Sequence, residues 1–472
     1  MCGSPACAPR RLRWFSVAAV AGLFWAFIPL APAAIIGTNL PAQPVTVERV
    51  TALPRAQRAA WLDYLKHSAE QGQADRALIQ AELRRCGLQQ PIVPPSSHSA
   101  RSIPLDEPIA WYAQNEARRL ADDIVSFQTP AGGWSKNLDL SQHPRAPGEN
   151  FAPDNNTRFL GPDDFDGYHA AHWDYIGTFD NDATIAELRF LAKAITMTTN
   201  PPPAWRTSFL HGLDYIFAAQ YPNGGWPQVW PLQGGYHDAI TYNDNAMVRV
   251  LVLLRDISEA NREFAFVPQA YRRHATASLR RGIACIVATQ IVAEGRRTVW
   301  CQQHDALTLQ PTSARNYEMP AQSSAESAGA LMFLMQVPDP SPEVIAAVNA
   351  AAAWFQKTQI PDMVYTVDGA GSHLAPASGK GPVWARYCEI GSDRPIFGNR
   401  DKTIHDRLDE ISAERLRGYS WYSEAPQRAL AQYADWKNVT RPKILLSLGR
   451  GRAQSCSRAH GFQAFCTTNA GR

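Results

Sequence analysis

Apolar and polar positions alternate along this chain in a helical rhythm. Between residues 55 and 86, Trp61, Leu62, Tyr64, Leu65, Leu78, Ile79 and Leu83 stand among charged residues, which predicts a helix. From about Leu105 to Lys437 the apolar runs lengthen. Ile185–Ile195, Val248–Ile257 and Leu331–Met335 each follow a polar opening. The run at 248–257 is apolar nearly all round, which predicts a helix buried on every side. Strand-like alternation is sparse. The pattern predicts helix pairs with buried inner members, and so an all-α barrel or toroid.

The body also repeats. Gly212-Leu-Asp-Tyr-Ile216, Gln220 and Val229-Trp230 recur as Gly282-Ile-Ala-Cys-Ile286, Gln290 and Val299-Trp300, at one offset of about seventy residues. An earlier copy has Gln128 and Gly132-Gly133-Trp134, matching Gln220 and Gly224-Gly225-Trp226. A weaker later copy has Trp354, Gln359 and Val383-Trp384. Each unit reads as a helix, a Gln near its end, a loop bearing Gly or Pro, a Trp, and a second helix with a polar start. Those starts are Thr178-Phe-Asp-Asn-Asp-Ala-Thr184 and, in matching register, Thr241-Tyr-Asn-Asp-Asn-Ala-Met247. Ser323-Ser-Ala-Glu-Ser-Ala328 and Ser420-Trp-Tyr-Ser-Glu-Ala425 follow.

Composition refines this organisation. Residues 1–33 hold Arg10, Arg11 and Arg13, an uncharged apolar run from Phe15 to Leu30, and Ala31-Pro32-Ala33, which together read as a secretory signal. The run is short for a spanning helix, so cleavage and a secreted or periplasmic product are expected, without stable membrane insertion. Residues 34–104 form a helical extension ending in a linker rich in Pro and Ser. The body spans 105–437, and a basic tail occupies 438–472. The net charge of +3 comes from the two ends. The first 33 residues and the tail carry cations and no acids, so the intervening chain is mildly acidic. A nucleic-acid partner is therefore not expected. After the signal, Cys86, Cys285, Cys301, Cys388, Cys456 and Cys466 remain. Export permits disulfides, but Cys285 and Cys301 could equally be buried thiols.

The chemistry gathers at the helix starts. Parallel inner helices would bring their N-termini to one face, and with them Asp180, Asp182, Asp244 and Glu326. Helix capping explains any one of these residues. Two matching clusters, Asp180-Asn181-Asp182 and Asn243-Asp244-Asn245, supply more oxygen than caps require, and clustered carboxylates and amides suit a hard cation such as calcium. No paired-His or Cys/His spacing points to zinc, and there is no nucleophile elbow or phosphate loop. His304 could be a ligand or a base, or a loop histidine held by Asp305. Lys136, Arg315, Arg394 and Arg400 lie in loops. Each could pair with a structural carboxylate, or together they could hold an anionic ligand.

As a set these residues resemble polysaccharide lyase family 10. The motifs that carry the resemblance are Gly132-Gly-Trp-Ser-Lys-Asn137, Thr178-Phe-Asp-Asn-Asp-Ala-Thr184, Gly224-Gly-Trp-Pro-Gln228, Tyr242-Asn-Asp-Asn-Ala-Met247, Trp300-Cys-Gln-Gln-His-Asp305, Ala314-Arg-Asn-Tyr-Glu318, Phe397-Gly-Asn-Arg-Asp401 and Gly418-Tyr-Ser-Trp-Tyr422. They span about residues 105–437 in the family's order. Lys402 departs from it, standing where glycine is expected, which bears on that loop's shape more than on Arg400. The resemblance implies an (α/α)3 toroid with short irregular or β-strand loops. It also implies calcium-assisted β-elimination of α-1,4-linked polygalacturonate by a protein able to act as a monomer. By resemblance, Arg315 is the base, and Asp180 and Asp244 belong to the calcium and catalytic centre, with Asn181 a further calcium ligand. Arg400 would grip a substrate carboxylate, with Lys136 and Asn243 assisting. Arginine is a weak base at neutral pH, so activity should favour alkaline conditions. Two rivals stay open: an inverting glycoside hydrolase using paired carboxylates such as Asp180 and Asp244, and a uronate-binding protein without turnover.

Overall fold

Residues 55–86 form the helix that their spacing predicts. In the computed structural model, which describes residues 34–97, 103–153, 164–165, 177–369 and 371–438, a short helix α1 (Val47–Thr51) leads into α2 (Arg55–Cys86). Gly87 ends α2 in the left-handed conformation with φ +68°. Trp61, Tyr64, Ile79 and Leu83 face inward, and the Tyr64 hydroxyl donates to the Ala219 carbonyl at 3.0 Å. The extension is therefore packed onto the body. The expected signal segment, Cys456 and Cys466 lie outside the described residues. Cys86 is an exposed thiol, and Cys285, Cys301 and Cys388 are buried free thiols.

The body contains α3 (Asn115–Ser126), α4 (Ile185–Met197), α5 (Pro203–Ala219), α6 (Ala246–Ser258), α7 (Gln269–Thr289), α8 (Ser324–Met335), α9 (Pro342–Thr358) and the short α10 (Ala413–Gly418). The three long apolar runs are the inner helices: α4 packs on α6, and α6 on α8. Helices α5, α7 and α9 lie outside them in the same order. Leu188, Leu191, Leu251, Leu254, Leu331 and Leu334 are fully buried between the layers. Each such leucine contributes about 1.5–3 kcal/mol by leaving water.

The repeated Gln and Trp have matching structural duties. The indole N–H groups of Trp134, Trp226, Trp300 and Trp384 donate to the carbonyls of Ile124, Ile216, Ile286 and Phe355 at 2.7–2.9 Å. Each anchors its loop to the preceding outer helix. The Nε2 groups of Gln220 and Gln290 each donate to their own loop (Gly224 and Thr298) and to the next outer helix (Ser278 and Ala347) at 2.9–3.0 Å. Glycine follows from close approach. A Cβ on Gly224 (φ +95°) would lie 2.3 Å from the Arg281 carbonyl oxygen.

The expectation of an all-α toroid is corrected by the strands. Among the described residues, seven small antiparallel sheets stitch the loops together. Three of them sit at the starts of the inner helices: Gly177–Thr178 with Val229–Trp230, Ile240–Thr241 with Gln303–His304, and Gln322–Ser323 with Tyr387–Cys388. A six-residue hairpin joins Met363–Asp368 to Gly371–Pro376. The fold is mixed because these buried loops run extended, and their N–H and carbonyl groups must pair with something other than water. Two-residue strands are too short to leave a period in the sequence.

Candidate functional site

The three stitched sheets place the polar helix starts side by side. The N–H groups of Thr178, Thr241 and Ser323 donate to the carbonyls of Trp134, Trp226 and Trp300 at 2.9, 3.2 and 2.8 Å. Each start is thus pinned to the repeated Trp. The two Asp/Asn loops then follow one path. Asn181 and Asp182 have φ of +51° and +66°, and Asp244 and Asn245 have +50° and +59°. Asn and Asp tolerate this left-handed region better than most residues. At the N-caps of α4, α6 and α8, Thr184, Asn245 and Ser323 make no side-chain capping bond. Capping does not account for the oxygen-rich openings.

Asp180 and Asp244 come within proton-sharing reach of one another. Asp180 is buried, and its Oδ2 accepts from Lys136 Nζ at 2.5 Å. Burial alone would raise its pKa, but the Lys136 charge and hydrogen bond, with Arg315 beyond, hold it below the usual carboxylate range. Asp244 has no such lysine. Burial, then the charges of Asp180 and Glu326, push it up to about 7 against the pull of Arg386 and Arg315. Asn243 joins the two sides. Its Nδ2 donates to Asp244 Oδ2 at 3.0 Å, and its Oδ1 accepts from Arg386 Nη2 at 3.3 Å. Arg386 also donates to Glu326 at 2.6 Å.

Arg315 sits in a tight turn. Glu318 N–H donates to the Arg315 carbonyl at 2.8 Å, and the Glu318 carboxylate accepts from Arg315 N and Nε, both at 3.0 Å. The Tyr419 hydroxyl donates to the same carboxylate at 2.8 Å. Burial would weaken the guanidinium's hold on its proton. The Glu318 charge and the phenols of Tyr317, Tyr236 and Tyr419 more than reverse this, keeping Arg315 well above the ordinary arginine range. Arg315, Arg400 and Arg415 lie 5.5, 5.1 and 4.2 Å from the Tyr317 ring centroid. Arg400 is further held by Glu414 at 3.2 and 3.3 Å.

The sequence-predicted residues therefore separate. Lys136, Asp180, Asn243, Asp244 and Arg315 share one centre, and Arg400 joins it across Tyr317. Asn181 lies beside the centre, where its Nδ2 donates to Asn137 Oδ1 at 3.3 Å. Asp182 pairs with Arg249. Arg394 is half-exposed and pairs with Glu389 at 3.0 Å, so it serves its own loop. His304 is fully buried with both ring nitrogens taken: Nε2 accepts from Cys301 N–H and Nδ1 meets the Leu309 carbonyl, each at 3.0 Å. Burial lowers its pKa to about 4. It is a neutral structural residue, and Asp305 holds Arg49 at 2.6 Å instead. Lys402, where glycine was expected, has φ +74°, a left-handed backbone that glycine adopts without strain.

Sequence reasoning missed Arg386, Glu318 and Tyr419. A signal for Arg386 was present. It stands two residues after Trp384, as Lys136 does after Trp134, and Gln228 and Gln302 occupy the same place in the other copies. Glu318 lay in a quoted motif, but its role needed the turn that folds it back on Arg315.

The donor set suits a hard cation. All candidate ligands offer oxygen, and burial, then the repulsion of two neighbouring acids, raises the Asp244 pKa to about 7, a repulsion that a divalent ion would relieve. Among the described residues no group of three or more His, Cys, Asp and Glu forms a metal cage. Such an ion would draw on Asp180, Asp244 and Asn181, and would take its remaining oxygens from water and ligand.

Residues 128–430 match the family profile described as pectic acid lyase. Among solved structures, the chain is similar to a family 10 polysaccharide lyase from Cellvibrio cellulosa. The identity is 28% and the TM-score 0.59, with 72% of this chain and 98% of that chain covered. A mutant of that enzyme, solved in complex with trigalacturonic acid, matches with the same identity and TM-score over 99% of its length. A search of curated proteins returned no match.

Proposed function

The chain belongs to the pectic acid lyase family and is a polysaccharide lyase, and on that premise we propose that it cleaves polygalacturonate by calcium-assisted β-elimination with Arg315 as the base. The observation that carries this reading is the meeting of Arg315 with the Asp180–Asp244 pair, flanked by Arg386 and Arg400. β-Elimination needs a base at the C5 proton, a means of holding charge on the adjacent carboxylate, and a departing C4 oxygen. Calcium, when bound at the acid pair, would neutralise the uronate carboxylate and acidify the C5 proton.

The chain's own residues do the rest. Glu318 and Tyr419 fix the Arg315 turn and aim the guanidinium. That guanidinium is protonated at rest, so the fraction able to accept the C5 proton is small and grows with pH. Arg400, half-neutralised by Glu414, is suited to exchange that partner for a substrate carboxylate. Lys136 keeps Asp180 ionised, and Asn243 holds Asp244 beside it. The apolar segment at Phe15–Leu30 and its basic flank support export, and a secreted or periplasmic protein acting as a monomer is the reading we adopt.

The approach of Asp180 and Asp244 to within hydrogen-bonding reach weighs against the glycoside hydrolase reading. Paired acids in inverting enzymes of that class stand about 6.5–9.5 Å apart to leave room for the attacking water. The test is ultraviolet absorbance of the unsaturated product from polygalacturonate at alkaline pH, with calcium and then with a chelator. A calcium-dependent rise is expected. Reducing ends without absorbance would move the protein to the hydrolases, and binding without either signal to the uronate-binding proteins.

A further inference from the structure

Residues 34–45 lie outside the segment matched by the family profile, yet they run against the two loops that carry Arg315 and Arg400. Ile35–Thr38 adds an outer strand to Thr403–His405, which pairs in turn with Phe397–Gly398. The chain then passes between the loops at Asn39, which is 3% exposed. The Asn39 N–H donates to the Lys402 carbonyl at 2.7 Å. Its Nδ2 donates to the carbonyls of Arg315 at 3.2 Å and Asn316 at 3.0 Å. The next carbonyl, Leu40, accepts from Ser313 Oγ, and Val45 N–H donates to Asp238 Oδ2 at 3.1 Å. Asn316 closes the circuit, donating through Nδ2 to the Arg400 carbonyl at 2.8 Å.

Apart from Val45 at its end, which is buried, this arm is not held by burying its apolar residues. Ile35 and Leu40 are 61% and 72% exposed. Its attachment is polar, directional and concentrated on the backbone of the two arginine turns. Hydrogen bonds of that kind set position more than they add stability.

We infer that the N-terminal arm is a positioning element, in which Asn39 locks the Arg315 turn in register with the Arg400 turn. The inference rests on the reading of those arginines given above. Through its side chain Asn39 holds the carbonyl of the residue that takes the proton, and through its backbone it holds the loop that grips the uronate. Slack of an ångström at Arg315 would misplace the base while leaving substrate affinity largely intact.

The test uses the full chain with Asn39→Asp, which keeps the shape but sets a carboxylate oxygen against two carbonyls. We expect kcat on polygalacturonate to fall about tenfold while KM changes less than about twofold. Backbone hydrogen exchange should quicken across residues 313–318 and 399–403 and stay unchanged across 220–230. Asn39→Ala, which removes the donor without repulsion, should show a smaller change of the same kind, and it carries both readouts should the aspartate variant not fold. Unchanged exchange in the two arginine turns overturns the inference whatever the activity. Quickened exchange with wild-type kcat also overturns it, because the arm would then brace the fold alone. Wild-type protein that forms no unsaturated product sinks the proposed reaction instead, and exchange then decides whether the arm sets the two turns.

Discussion

Residues 178–182 and 241–245 follow one backbone path with the carboxylate moved by one place, and the helix behind then starts at once at Ala246 but only at Ile185 in the first loop, after Thr184 at φ +68°. In the shared register Asp180 matches Asn243, and Asn181 matches Asp244. Asp180 precedes the left-handed pair of its loop and meets Lys136. Asp244 is itself left-handed and accepts from Asn243 Nδ2 rather than from a lysine among the described residues. One acid is thereby held ionised and the other protonated up to about pH 7. The helices behind differ too. Glu187 of α4 is buried, with Oε2 unpartnered among the described residues and a pKa pushed up to about 8 by burial, whereas α6 has Val250 at the matching place. Repetition copies a backbone cheaply. Shifting a side chain by one position within it brings two acids with different pKa values close together.

Four changes would break or sharpen this comparison. The largest effect is expected from Arg315→Ala. If both loops serve one base, kcat should fall by about a thousandfold or more with the melting temperature little changed. A modest loss would leave the two loops without a common purpose. Next, Asp180→Asn should lower kcat about a hundredfold and raise the calcium needed for half-maximal rate, measured by calcium titration. An equal response from Asp244→Asn would show that the different environments do not matter.

Lys136→Met should cost about tenfold in rate. It removes the cation that lowers the Asp180 pKa, so the acid limb of the pH–rate profile should move to higher pH. An unmoved limb would sever Lys136 from that titration. The smallest effect on activity is expected from Glu187→Gln. Folded Glu187 keeps its proton up to about pH 8, whereas the unfolded chain releases it near the ordinary value of 4.5. The folded state binds more protons in that window, so wild-type stability falls as pH rises through it. The glutamine variant should melt several degrees above wild type at pH 9 and close to it at pH 4, with kcat unchanged.

Much of this was legible in the chain itself. The helical spacing of 55–86, the three inner helices, the recurrence of Gln and Trp, and the two acid-rich loops are local patterns, since helices and their turns are governed by residues a few positions apart. The protonation of Asp180 and Asp244 was not legible, because it depends on dehydration and on charges brought from Lys136, Glu326, Arg315 and Arg386. The role of His304 could not be read either, since only the folded loop shows both ring nitrogens taken by backbone.

Most strands left no period in the sequence because they are two or three residues long and pair with partners far away in the chain; the six-residue hairpin at 363–376 is the exception. The place of Arg386 in the repeat was visible, but its partnership was not, because its link to Asn243 spans 143 positions. The N-terminal arm reads as a nondescript proline-bearing stretch until Asn39 is seen against Arg315, 276 residues on. By itself, then, the sequence determined which segments are helical, which loops repeat and which residue types could do chemistry, because those rest on short-range order. Tertiary structure alone decided which of those residues meet, which way each pKa moves and what packs against the Arg315 turn, because desolvation and long-range pairing arise only when the layers close.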